Sequence, residues 1–156
     1  MEKTINEIRE TVDAFSIKIG MIPEVELSAK SSPSKWSKIE VLGHLIDSAH
    51  NNLRRFICTQ YESSPPKITY EQDFWVRAND YEHKMSGDVI SSWGLINGQI
   101  CSVLEAMPKS NFSRVCDTGK DAVQLRSLEW LAEDYVKHMK HHLNQIIPGS
   151  FDIIYK

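Results

Sequence analysis

Residues 135–146 read Tyr-Val-Lys-His-Met-Lys-His-His-Leu-Asn-Gln-Ile, and the period of this stretch sets the fold class. Followed back to its start, its apolar residues are Leu128, Leu131, Tyr135, Met139, Leu143 and Ile146. Steps of three and four residues are the mark of a helix with one buried face. His138 and His142 border that face one turn apart, on the same side of the helix. A polar ring at the edge of a core is costly unless its nitrogens find partners. Two imidazoles at i and i+4 can grip one divalent cation, as in H-E-x-x-H helices. Two donors do not complete a site, so a third belongs elsewhere in the chain.

Three more segments carry the same period. Thr4 and Glu7 have the spacing of a capping box, and Ile5, Ile8, Val12, Phe15, Ile19 and Ile22 continue one apolar face up to Pro23. Glu26 to Lys35 reads as a serine-rich loop. A second helix opens at Ser37 with Glu40 as reciprocal cap, and Trp36 and Val41 sit at staple positions. Its core stripe is Leu42, Leu45, Ile46, Ala49, Leu53 and Phe56. Beside it runs a polar stripe of His44, Asp47, Ser48, Asn51 and Arg55, the edge of a polar pocket or a solvated flank. A third helix opens near Ser86, with Val89, Trp93, Ile96, Ile100, Val103 and Met107 inward, and ends at Pro108. Between the second and third, Tyr61 to Met85 is long for a connection. A helical turn around Gln72 to Ala78 is expected there, with Phe74 and Trp75 inward. Lys109 to Arg126 is irregular, with Gly119 at a turn and room for a short hairpin; the fourth helix then starts near Ser127 and stops before Pro148-Gly149.

Four amphipathic helices of roughly 20 residues, each about 30 Å long, with one long crossover make an all-α four-helix bundle. With 156 residues and 41% apolar content, the chain is one domain with its own core. A net charge of −3 and the lack of a basic run speak against nucleic acid, and no apolar run is long enough for a membrane helix. The N-terminus lacks the layout of a signal peptide, so a cytoplasmic location is the expectation. Cys58, Cys101 and Cys116 are odd in number and form no CxxC pair, so they are expected to be free, inert thiols. Trp93 and Trp130 read as packing residues.

Such bundles build metal sites from inward-facing residues of neighbouring helices, and His44 is the natural third ligand. His50 points about 240° away around its helix and His141 is rotated about 100° from His142. Three imidazoles plus one open position is the pattern of a catalytic zinc-type site.

The segment Trp36-Ser-x-x-Glu-Val-Leu-Gly-His44-Leu-Ile-Asp47-Ser48-x-x-Asn51-x-x-x-Arg55-Phe56 resembles the first signature of the DinB superfamily, in particular its YfiT-like branch. His138-Met-Lys-His141-His142-Leu-Asn-Gln145-Ile resembles the second, and Tyr70-x-x-x-x-Trp75 the connection between them. The resemblance implies an up-down-down-up bundle, a divalent metal such as zinc or nickel on His44, His138 and His142, and a homodimer. It further implies, for several members, transfer of a low-molecular-weight thiol such as bacillithiol or mycothiol to an electrophile. The loop Arg114–Lys120 departs from that branch. On this reading Asn51 and Arg55 contact substrate, with Arg55 meeting a carboxylate or phosphate, and Tyr70, Gln72 and Trp75 close the mouth. Asp47 is expected to orient a ligand or to bind directly, and His141 to serve as acid or base, although both have bland readings as an ion pair and an exposed flank residue. A metal-dependent hydrolase, or a non-catalytic ligand-binding or stress-response bundle, are the alternative functions.

Overall fold

The computed structural model describes residues 1–155. Its helices are α1 (Glu2–Gly20), α2 (Glu24–Ser28), α3 (Lys38–Tyr61), α4 (Gln72–Asn79), α5 (Ser86–Ala106) and α6 (Leu128–Ile146). Helices α1, α3, α5 and α6 form an up-down-down-up four-helix bundle. Each of α1 and α3 packs against both α5 and α6, so the four buried stripes meet in one core.

The stripes are those of the sequence. Leu128, Leu131, Tyr135, Met139, Leu143 and Ile146 are all buried, as are Ile5, Ile8, Val12, Phe15 and Ile19. The Tyr135 hydroxyl donates to Asn97 Oδ1 at 2.6 Å, which satisfies two buried polar groups in the core. Ser37 caps α3 through a capping box: Glu40 N donates to Ser37 Oγ at 3.4 Å and Ser37 N donates to Glu40 Oε2 at 2.8 Å. Ser127 likewise caps α6, accepting from Trp130 N at 3.1 Å.

Four local expectations are corrected. Helix α1 begins at Glu2, with Thr4 inside its first turn and buried, so Thr4 is not its cap; the Glu7 carboxylate pairs with Lys140 instead. The stretch expected as loop opens with α2, a short helix held because Leu27 inserts into the core. In α4 it is Val76 that turns inward, while Phe74 is exposed and Trp75 half-buried. Trp130 lies on the surface under the Arg126 guanidinium, 4.6 Å from its ring centre, rather than in the core. The hairpin is present, with β1 (Val115–Asp117) antiparallel to β2 (Leu125–Ser127). Its Asp117 also pairs with the crossover, donating N–H to Pro66 O at 2.9 Å and accepting from Ile68 N at 3.0 Å.

The crossover lies in tight contact with α3 at Gly43. Asp80 ends α4 in the left-handed region (φ 51°), and a 3-10 turn at Tyr81–His83 follows. Asp is among the residues that tolerate this conformation. Tyr81 is thereby laid flat on Gly43, one residue before His44; a Cβ at position 43 would stand 2.1 Å from Tyr81 Cδ2.

Candidate metal centre

Helices α3 and α6 pack side by side, and this sets His44 against residues 94 positions further along the chain. His44 Nε2 and His138 Nε2 face each other at 3.2 Å. The ring centres of His44 and His142 are 4.5 Å apart, as are those of His138 and His142. One nitrogen from each of the three rings falls within 4.8 Å of the others.

The donor set fits a divalent cation. Two donors of a tetrahedral zinc with Zn–N near 2.0–2.1 Å stand about 3.3 Å apart, which is the His44–His138 spacing. Among the described residues, His44 Nδ1 is buried with no hydrogen-bond partner. All three rings are held in the neutral form that ligates metal. Burial, reinforced by His142, lowers the His44 pKa to about 3. Burial lowers His142 to about 4, and burial together with the neighbouring histidines holds His138 well below the usual range.

Around the triad the remaining residues divide. Ser48 Oγ lies 3.4 Å from His138 Nδ1 and is itself held by Asn52 Nδ2 at 3.3 Å. Trp36 is set 5.0 Å from His44, ring centre to ring centre. Its staple position therefore makes it a wall of the site. Asn51 donates to Asp47 O at 2.9 Å and leaves its Oδ1 buried without a partner among the described residues. Tyr70 is half-buried beside Ser48 and Arg55, edge-on to Trp75 at 5.7 Å between ring centres.

Other candidates are placed differently from expectation. Arg55 uses Nε and Nη2 on the Ile68 carbonyl, at 3.2 and 2.9 Å, and Nη1 on Asn52 Oδ1 at 3.2 Å. Its guanidinium fastens the crossover to α3 instead of presenting a bidentate face. Gln72 is exposed at the first position of α4. Asp47 directs its carboxylate to the crossover and not to an imidazole: Oδ1 accepts from Tyr81 Oη at 2.8 Å and from Asn79 Nδ2 at 2.9 Å. His141 accepts from Gln145 Nε2 at 3.2 Å through its own Nε2.

Tyr155 was not expected. The C-terminal segment after α6 brings its ring within 5.6 Å of His138 and 5.5 Å of His141, centre to centre, while its hydroxyl donates to Asp134 Oδ2 at 3.2 Å. The one sequence signal is alternation: Phe151, Ile153 and Tyr155 are half-buried, Asp152 and Ile154 exposed. That is the period of an extended strip.

The DinB superfamily model matches residues 2–146, nearly the whole chain. This chain belongs to the DinB superfamily. A relative from Geobacillus thermodenitrificans (strain NG80-2), provisionally named a metal-dependent hydrolase, is 27% identical over 151 residues, 94% of this chain and 82% of the relative. The bundle superposes on YfiT from Bacillus subtilis, described as a probable metal-dependent hydrolase of unusual four-helix bundle topology. That match has a TM-score of 0.83 and 21% identity, over 93% of this chain and 82% of that one. A mycothiol-dependent maleylpyruvate isomerase shares the fold at a TM-score of 0.71 and 8% identity, over 97% of this DinB chain and 61% of the isomerase.

Asp47 offers a pH test of how the crossover is fastened. Burial raises its pKa to about 6, against the lowering effect of Tyr81 and Asn79. An acid with a raised folded pKa binds more protons folded than unfolded between about pH 4 and 6, so stability from this group falls as pH rises through that window. Asp47→Asn removes the titration. The stability difference between wild type and Asp47→Asn is expected to shift against wild type by up to about 3 kcal/mol from pH 4 to pH 7. Urea midpoints at four pH values measure it, and the histidines cancel in the difference; a pH-independent difference refutes it.

Proposed function

We propose that this DinB-superfamily chain is a metal-dependent enzyme, with a divalent cation on His44, His138 and His142, that transfers a low-molecular-weight thiol to an electrophilic small molecule. The observation that carries the reading is the convergence of three neutral imidazoles from α3 and α6, with His44 Nε2 and His138 Nε2 3.2 Å apart. A divalent ion held by three imidazoles supplies Lewis acidity and favours a thiolate over a thiol at neutral pH. In the transfer, sulfur forms the new S–C bond, the thiol proton passes to solvent, and the electrophile's leaving group departs with its electron pair.

The chain's own residues hold and shield the reactants. Asn51 Oδ1, buried and unpartnered among the described residues, is placed to accept an N–H or O–H of the substrate. The Tyr70–Trp75 pair on the crossover and Trp36 beside His44 supply the aromatic surface that shields the reactants on this reading. Arg55 keeps the crossover closed over α3 through the Ile68 carbonyl. The names of the Geobacillus relative and of YfiT favour a second reading, in which water replaces the thiol at the same centre and an ester or amide is cleaved.

One assay separates the two. Zinc-loaded and nickel-loaded protein is incubated with an electrophilic dye and a panel of small thiols, and in parallel with an activated ester. The expected result is thiol-dependent conjugation that is lost in His142→Ala. Ester cleavage without conjugation replaces the transferase by the hydrolase, and neither activity under any metal refutes both.

A further inference from the structure

Gln145 lies on α6 just beyond His141 and His142, and its amide touches both. Its Oε1 is 3.2 Å from His142 Nδ1 and its Nε2 is 3.2 Å from His141 Nε2. An amide oxygen only accepts and an amide nitrogen only donates. The proton of His142 therefore sits on Nδ1, which leaves the lone pair on Nε2. On His141 the lone pair is on Nε2 and the proton on Nδ1.

We propose that Gln145 is a positioning residue for the metal centre, holding His142 in the tautomer whose Nε2 coordinates. The inference rests on the metal-centre reading above. If the amide turned over, its N–H would face His142 Nδ1 and move the ring proton to Nε2, which blocks coordination.

A parallel arrangement holds the other ligand of α6. His138 Nδ1 faces Ser48 Oγ at 3.4 Å, and its Nε2 faces His44. Both α6 ligands thus have Nδ1 against a neighbouring side chain. His44 lacks such a tie, since its Nδ1 is buried without a partner among the described residues. Gln145 itself is exposed, so it contributes no core packing, and a change there reports on the ring it holds.

The test uses the full chain as wild type, Gln145→Leu and Gln145→Glu. Long-range proton–nitrogen NMR on metal-free protein at neutral pH reads the His142 tautomer. Competition with a chromophoric chelator reads zinc affinity, and cobalt absorption reads coordination geometry. Wild type is expected to show the Nδ1–H tautomer. Gln145→Leu is expected to move His142 toward Nε2–H, to weaken zinc about 10–100-fold and to alter the cobalt spectrum, with the metal-free melting temperature unchanged. Gln145→Glu keeps the acceptor and is expected to retain the tautomer and the affinity. An Nε2–H tautomer in wild type, or wild-type affinity in Gln145→Leu, overturns the proposal and leaves the metal centre standing. A wild type that takes up no zinc overturns the centre itself, and the role of Gln145 with it.

Discussion

His138→Ala removes about two thirds of the stabilisation of this protein by zinc. Saturating metal at about a thousand times its dissociation constant stabilises a folded state by roughly 4 kcal/mol. For a chain of this size that is a rise of about 8–16 °C in melting temperature. His138 faces His44 at 3.2 Å through Nε2 and shares a ring contact with His142, so its loss leaves one donor on each helix. Four-ligand zinc sites are worth about 10–16 kcal/mol, or roughly 3 kcal/mol per ligand, so a missing donor weakens binding by about two orders of magnitude. Each protein is compared with its own chelator-treated form, which removes the effect of the cavity the substitution leaves. An equal zinc-induced shift in wild type and variant, with equal metal content after purification, removes His138 from the ligand set.

Gly43→Ala has the second large effect, and its sign runs against the usual rule. In an open helix interior this exchange stabilises by about 1 kcal/mol; Gly98 of α5, where a Cβ meets nothing within 4 Å, serves as that control. At position 43 the new methyl would stand 2.1, 2.3 and 2.6 Å from Cδ2, Cγ and Cε2 of Tyr81. The ring is buried and its hydroxyl is spent on Asp47, so it cannot give way without leaving a buried carboxylate short of a partner. Overpacking and the lost hydrogen bond together cost about 3–5 kcal/mol, measured as a drop in the urea midpoint. The double variant Gly43→Ala, Tyr81→Ala is expected to lose little beyond Tyr81→Ala alone, because the clash has gone. Additive losses would place the penalty in the helix backbone instead of against Tyr81.

Parts of this architecture are legible in one dimension because they repeat locally. The buried stripes of α1, α3, α5 and α6, the caps at Ser37 and Ser127, and the shared side of His138 and His142 all follow from helical period. That period needs only neighbours three or four residues away. His44 could be nominated because it borders a core stripe on a second helix, and the resemblance to DinB signatures selects the same residue. Thr4 shows where local reading fails: the capping-box spacing is present, but the helix starts two residues earlier.

What the sequence determined by itself is therefore a bundle, its inward faces and the residues eligible to bind a metal. Only the tertiary structure decided the partners: Arg55 on Ile68, Asp47 on Tyr81, Tyr155 over His138, and Gln145 between two histidines. The reason is that periodicity states which side of a helix a residue occupies and says nothing of what stands opposite. For Arg55 and Asp47 that is set by a crossover 13 to 34 residues further along the chain, and for the triad by the packing of α3 against α6. Even Gln145, whose partners are close in sequence, needs the side-chain orientation to show which histidine receives its oxygen and which its nitrogen.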